Sequence, residues 1–115
     1  MNTLRALVRS SEDGGCEAQL LELDIAVHAA NEDALLRQLE YILTAEYTLA
    51  MEAGLTPFAN MVKATPQAFH DGWEASGLPK VRPINLGTEV VQALAIALHT
   101  PKLLQFAVQP LRIAA

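Results

Sequence analysis

Apolar and polar positions alternate along the first thirty residues, which is the pattern of short β-strands. Residues 4–9 fall into two interleaved sets, Leu-Ala-Val and Arg-Leu-Arg, with a period of two. A polar stretch that ends in Gly14 and Gly15 then predicts a hairpin loop. A second strand is predicted from Cys16 to Leu21 and a third over Leu23–Ala29, with a bend near Asp24. Three short strands close in sequence favour an antiparallel meander, which needs a helix to cover one face.

The segment that follows has the spacing of an amphipathic helix. Asn31 is a suitable N-cap, and two acidic residues come directly after it, where the helix dipole favours negative charge. Apolar residues then recur at spacings of three and four: Leu35, Leu36, Leu39, Ile42, Leu43, Leu49 and Ala53. Gly54 suits the position just after a helix end. The pattern predicts a helix over Glu32–Ala53, which at the usual rise is about 33 Å long.

Three Thr-Pro pairs, which begin at residues 56, 65 and 100, resemble an N-cap followed by proline at the first helical position. The first two predict short helices over Phe58–Lys63 and Gln67–Ala75. Thr65 also fits the end of a strand, because the residue before a proline prefers extended backbone. Residues 77–83 are predicted to be extended or in a turn.

The last part of the chain, Leu86–Ala115, carries only three charged residues. Thr88 is predicted to cap a helix over Glu89–His99, and Phe106–Ile113 is compatible with an edge strand, since Pro110 cannot donate to a sheet. A helix that is apolar on most sides must be buried on most sides. We therefore expect Leu86–Ala115 to pack against a second copy of the chain; the alternative is that it fills the core of its own monomer.

Length and composition indicate one folded domain. The chain has 115 residues, of which 51% are hydrophobic and 18% charged, which excludes a disordered chain. We expect an α+β fold over 1–115, in which a three-stranded antiparallel meander packs on one long helix. The strand-strand-strand-helix unit spans 4–54, and a helical, oligomer-forming extension spans 55–115.

Charge and cysteine content narrow the range of partners. Eight basic and thirteen acidic side chains give a net charge of −5, and the basic residues are scattered, which disfavours nucleic acid as a partner. Cys16 is the single cysteine, so no internal disulfide forms, which fits a reducing compartment. The longest apolar run, Ala93–Leu98, is far shorter than the roughly 20 residues of a membrane helix. We expect a cytoplasmic protein that does not bind membranes and carries no secretory signal.

Two groups of polar residues are candidates for binding. Glu22 and Asp24 alternate with apolar residues, an arrangement typical of a solvated strand face that can also meet a basic partner. The densest polar and aromatic cluster consists of His70, Asp71, Trp73 and Glu74. On a helix, residues 70 and 74 share a face and could hold one ligand, or the cluster is an amphipathic helix end with its tryptophan packed inward. No nucleophile or oriented base accompanies either group, so we predict no catalytic residue, no metal site and no cofactor.

The remaining candidates for chemistry are isolated. His28 follows Asp24 by four residues, which on an unbroken strand is roughly 13 Å, too far for one metal ion. His99 ends an apolar helix, where a cationic side chain suits the dipole. Both are expected to be structural, and Cys16 is expected to be inert because it has no basic neighbour in sequence.

The order of strand, glycine-containing hairpin, strand, strand and capped helix resembles the HicB-like family, over about residues 4–53. These are small proteins, many of them antitoxins, built on a partial ribonuclease-H-like α+β unit. The resemblance rests on Ala18–Ala26, in which Gln19, Glu22 and Asp24 stand at the family's motif positions, and on the helix entry Ala29–Leu35. The chain departs from the family at Ala29, where glycine is usual, and one residue is missing before the alanine at 34.

The resemblance implies a non-enzymatic, antitoxin-type interaction protein. Its acidic surface, including Glu22 and Asp24, would cover a small basic toxin-like protein. We find no helix-turn-helix or ribbon-helix-helix segment for DNA. The alternative is a small oligomeric enzyme or ligand-binding protein with a pocket near His70, Asp71 and Trp73. A third interpretation is a diverged relative that only associates with itself.

Overall fold

The computed structural model describes residues 3–10, 14–62, 66–75, 80–99 and 105–110. In chain order the elements are β1 (Thr3–Ser10), β2 (Cys16–Leu20), β3 (Ala26–Ala29), α1 (Glu32–Glu52), α2 (Gln67–Ala75), β4 (Lys80–Val81), α3 (Thr88–Ala97) and β5 (Gln105–Pro110). The first three strands form an antiparallel meander that packs against the long helix α1. The predicted α+β fold is therefore confirmed.

The sheet has five strands in the order β3-β2-β1-β5-β4. β5 runs parallel to β1, and the short β4 pairs with β5 in antiparallel fashion. The prediction that Phe106–Ile113 is an edge strand is therefore wrong in its placement, because β5 lies between two other strands. Pro110 is tolerated because it is the last residue of β5, beyond Ala107 and Val108, which pair with β4. Residues 111–113 lie outside the described part of the chain.

The core forms between the inner face of the sheet and one face of α1. Alternate residues of β1, β2 and β3 point inward, as the period of two predicts. The cluster contains Leu4, Ala6, Ala18, Leu20, Leu23, Ile25, Val27, Leu35, Leu36, Leu39, Leu43, Phe58, Val90 and Leu94. The meander, α1, the turn after α1, and α3 all contribute to it, so these elements share one core.

Both ends of helix α1 are capped by residues that flank it in the sequence. The Asn31 side chain accepts a hydrogen bond from the backbone N–H of Ala34 at 2.8 Å, which confirms the predicted N-cap. At the other end Gly54 adopts a φ of 69°, the left-handed conformation that a side chain disfavours. The N–H of Leu55 bonds to the carbonyl of Ala50, and that of Gly54 to Met51, which together make a Schellman motif.

The apolar stripe of α1 is buried only in its first half. Leu35 to Leu43 are covered, whereas Leu49 is 60% exposed and Ala53 is also exposed, contrary to the single buried stripe that the spacing predicts. The reason is length. A helix of 21 residues is about 31 Å long, whereas the four residues of β3 extend only about 13 Å. The second half of α1 extends past β3, and there only Tyr47 is partly buried against the core.

The segment after α1 is a turn, and the predicted helix over Phe58–Lys63 is wrong for its described residues, 58–62. Phe58 has a φ of 65°, which cannot continue an α-helix, and its ring is only 4% exposed. Burial of the ring in the core compensates for the unfavourable backbone conformation. Lys63 lies outside the described part of the chain.

Helices α2 and α3 occur where the sequence predicts helices. α2 has the predicted span, although Thr65 lies outside the described residues. α3 begins at Thr88 with Gly87 as its N-cap, so Thr88 is not the cap. The helix ends at Ala97, and His99 has a φ of 54°, outside the helix. The third Thr-Pro pair lies outside the described residues.

The C-terminal third is partly used inside its own chain. Val90 and Leu94 of α3 are buried in the core, and β5 is an internal strand of the sheet. Ile96, by contrast, is 69% exposed. Val90 and Leu94 thus help to fill the core of their own monomer, which was the alternative interpretation of Leu86–Ala115. The association of two copies stays a prediction. Among the described residues, no helix combines the length and the apolar character needed to span a membrane.

The unequal burial along α1 is testable with two substitutions of the same kind. Leu43→Ala should lower the free energy of unfolding by about 2 to 5 kcal/mol, because it leaves a cavity in the core. Leu49→Ala should change it by less than about 0.5 kcal/mol, because the side chain is exposed. Urea unfolding followed by circular dichroism measures both values. Similar losses in the two variants would show that the stripe is buried along its whole length.

Candidate interaction surface

Glu22 is bound to the first strand and does not offer a free carboxylate. Its Oε1 accepts the backbone N–H of Arg5 at 2.6 Å, and its Oε2 accepts the Nε–H of the same arginine at 2.8 Å. The Glu22 side chain is 18% exposed, and the Arg5 guanidinium lies 5.5 Å from the centre of the Trp73 ring. These contacts join the bend after β2, the first strand and α2. The charge of Glu22 is compensated within the chain.

Asp24 does not share a strand face with Glu22. Residues 21–24 form a bend before β3, as predicted near Asp24, and the strand begins at Ala26 instead of Leu23. The distance from Asp24 to His28 given for an unbroken strand therefore does not apply. The side chain of Asp24 is exposed, and its backbone N–H bonds to the carbonyl of Met61 at 2.8 Å. Of the predicted partner-binding pair, only Asp24 faces solvent. Its backbone also fixes the turn after α1.

The cluster on α2 is a helix surface. Asp71 accepts a hydrogen bond from the side-chain amide of Gln67 at 3.0 Å, and Trp73 contacts Arg5. His70 is half-buried, and Glu74 is exposed. The cavities outlined by the described residues have other linings, and the ligand pocket near these side chains stays a prediction.

Every arginine whose side chain the structure describes is paired with a carboxylate of the same chain. Arg82 contacts both Glu32 and Asp33 at 2.6 Å, which ties the segment before α3 to the first turn of α1. The other pairs are Arg5 with Glu22, Arg9 with Glu17, and Arg37 with Glu40. Glu40 also accepts the backbone N–H of Asn85. All arginine side chains that the structure describes thus form ion pairs within the chain.

Four exposed or half-buried glutamates have no ion-pair partner among the described residues: Glu46, Glu52, Glu74 and Glu89. Two of them stand on the second half of α1. From 41 to 62 the sequence contains these two glutamates and no lysine or arginine, and Lys63, outside the described residues, follows directly. The described residues of this end of the molecule therefore carry negative charge.

A groove of about 360 Å³ lies at the same end, between α1 and the turn that follows it. We call it the helix-end groove. It is lined by Glu46, Leu49, Ala50, Ala53, Leu55, Thr56, Phe58, Asn60 and Met61. One wall is the helix face at residues 46, 49, 50 and 53, which are neighbours at spacings of three and four. The opposite wall is the turn held by the Phe58 ring and the Asp24–Met61 hydrogen bond.

A second groove of about 410 Å³ lies on the outer face of the sheet, over β1, β2 and β3. Arg9 and Glu17 line it, and they neutralise each other across paired strands. His28 stands beside them on the edge strand. The polar groups of this groove are therefore balanced in charge, unlike those of the helix-end groove.

Two groups of the described chain, Cys16 and Arg82, have altered pKa values. Burial, together with the nearby carboxylate of Glu32, raises the pKa of the Cys16 thiol, so the thiolate form is disfavoured. The hydrogen bond that Arg82 donates to Asp33 raises the pKa of Arg82 further above its normal value. Among the described residues, no three His, Cys, Asp or Glu side chains are grouped so that they could hold a metal ion.

Comparison of the chain with models of known protein families, with curated proteins and with solved structures finds no match.

The exposure of Leu49 and Leu55 was not predicted from the sequence. Helical spacing assigned Leu49 to the buried stripe, because periodicity reports which face is apolar and not how much of that face is covered. The available signal was the mismatch between a helix of some 33 Å and strands of only a few residues. Leu55 carried no such signal, because its position depends on the Schellman motif.

The Arg5–Glu22 and Arg9–Glu17 ion pairs should differ in strength. Glu22→Gln should lower the free energy of unfolding by about 1.5 kcal/mol, because it weakens hydrogen bonds to a charged, half-buried group. Glu17→Gln is the matched control, since the Arg9–Glu17 pair is more exposed, and its cost should be about 0.5 kcal/mol or less. Urea unfolding at low ionic strength measures both. Equal costs would contradict the structural role of Glu22.

Proposed function

We propose that the protein is a HicB-like, non-enzymatic interaction protein of the antitoxin type, which docks a small basic partner protein. The observation that carries the proposal is the distribution of charge. The described arginines are all paired within the chain, whereas four glutamates have no basic partner among the residues that the structure describes. A partner rich in lysine and arginine supplies the missing charges.

The order of the N-terminal elements also supports the proposal. The resemblance to HicB-like proteins rests on a meander followed by a capped helix, and β1, β2, β3 and α1 follow in that order. The helix entry at Asn31 is a working N-cap. These features support the expected fold, whereas the docking function is proposed from the distribution of paired and unpaired charges.

The mechanism of such a protein is steric and electrostatic. Unpaired carboxylates raise the rate of encounter with a basic partner, and this attraction weakens as salt screens it. Close docking then covers the partner's surface. Affinity also requires apolar contact, because exposed ion pairs alone contribute little. The binding surface should therefore combine glutamates with exposed apolar side chains.

The proposal predicts a specific, salt-sensitive complex. Affinity purification from the native host at low ionic strength should recover a small basic protein in stoichiometric amount, identified by mass spectrometry and sized by light scattering. The complex should dissociate as salt is raised from about 50 mM to about 500 mM. Recovery of the protein alone, at every salt concentration, would contradict the proposal.

A matched pair of variants separates unpaired from paired charges. Replacement of Glu46, Glu52, Glu74 and Glu89 by glutamine should abolish recovery of the partner. The control is Arg9→Gln together with Glu17→Gln, which removes an internally paired couple and leaves the net charge unchanged. The control should retain the partner. Equal recovery by both variants would show that the unpaired glutamates do not bind it.

A further inference from the structure

We infer that the helix-end groove binds one amphipathic, basic helical segment of the partner protein, with an apolar anchor between Leu49 and Leu55 and a basic side chain at Glu46. The inference rests on the proposed function and assigns the docking to one place in the molecule. It differs from the surface at Glu22 and Asp24, where the first carboxylate is already paired.

The groove is shaped before any partner arrives. The Schellman motif fixes Leu55 relative to the last turn of α1 through two backbone hydrogen bonds. Phe58 is buried in the core, and the Asp24 N–H holds the carbonyl of Met61. Both walls are therefore attached to rigid parts of the fold. A groove that is already formed avoids much of the ordering cost of binding.

The walls expose apolar surface at the position where an anchor would sit. Leu49 is 60% exposed and Leu55 is 58% exposed, and both line the groove. Neighbouring exposed apolar side chains in a concave site are typical of protein-binding surfaces. The volume of about 360 Å³ suits inserted side chains. An amphipathic helix supplies such anchors at spacings of three and four residues.

The charge around the groove determines the kind of segment. Glu46 is part of the wall, and Glu52 lies three residues after Leu49 on the adjoining helix surface. Neither has an ion-pair partner among the described residues. A segment with lysine or arginine beside its apolar anchors matches both features of the groove.

The same charges disfavour a second copy of this chain as the occupant. In a symmetric dimer the same patch meets itself, so the glutamates of one protomer would face those of the other. Like charges brought together across an interface cost binding energy. The groove thus selects a basic segment from another protein.

A synthetic peptide tests this assignment directly. The probe is a fluorescein-labelled helical peptide of lysine and leucine, with leucines at spacings of three and four, and binding is followed by fluorescence anisotropy at low salt. The double variant Leu49→Ser, Leu55→Ser should weaken binding at least about tenfold, because it removes both anchoring contacts. Glu46→Gln should weaken it by a smaller factor and reduce its salt dependence.

Matched variants outside the groove serve as controls. Ile96→Ser removes a side chain at least as exposed as Leu49, and Glu17→Gln removes a carboxylate that is paired with Arg9 and lies outside the groove. Both should bind the peptide like the original chain. A peptide with glutamate in place of lysine should bind at least about tenfold more weakly. Circular dichroism checks that each variant is folded, which is expected because every substituted side chain is exposed or half-buried and none belongs to the buried core.

Several outcomes would overturn the inference. These are unchanged peptide binding by the double variant, equal losses in the Ile96→Ser control, and equal binding of the glutamate peptide. Dimerisation that the double variant abolishes would identify a second copy as the occupant and would also overturn it. If the groove variants bind the native partner normally, the proposed function stands and this inference fails. If the peptide binds in the groove but no basic protein is recovered, the proposed function fails instead.

Discussion

The length of α1 relative to the sheet decides where the chain leaves apolar surface uncovered. The leucines from 35 to 43 are buried in the core, whereas further along the helix Tyr47 is only partly buried and Leu49 is exposed. A helix end without tertiary contacts would fray, but the Gly54 motif closes it through backbone hydrogen bonds. The turn then brings Phe58 back into the core. The overhang and the returning turn together make the helix-end groove.

Charge pairing follows the same division of the molecule. Where the chain packs on itself, arginines and carboxylates join elements: Arg5 with Glu22 links the first strand to the bend, and Arg82 links the segment before α3 to the start of α1. In the second half of α1, Glu46 and Glu52 lack such partners among the described residues. The paired and the unpaired carboxylates of α1 thus lie on different halves of the helix.

Much of the fold was predictable because its determinants are local. The meander follows from a period of two, and α1 follows from Asn31, an apolar period of 3.6 and Gly54. Non-local features were not predictable. Phe58 adopts a left-handed conformation because its ring is buried, and β5 is internal because β4 pairs with it over two residues.

The candidate surface was less predictable than the fold. Glu22 and Asp24 looked alike in sequence, yet the bend at 21–24 directs one toward Arg5 and leaves the other in solvent. The composition predicts a net negative charge but not where on the surface the unpaired charges lie. That location depends on which arginines find partners inside the chain, and pairings such as Arg82 with Glu32 join residues far apart in sequence. Such contacts leave no periodic signal.

The helix-end groove depends on α1 staying helical to Glu52, with its C-terminus capped and the following turn held against it. Amide hydrogen exchange of the free protein, followed residue by residue by NMR, measures this. We expect clear protection of the amides from Thr48 to Leu55 and of Asp24, whose N–H is bonded to the carbonyl of Met61. Exchange at the rate of an unfolded chain for these amides, with α1 protected only to Leu43, would contradict it.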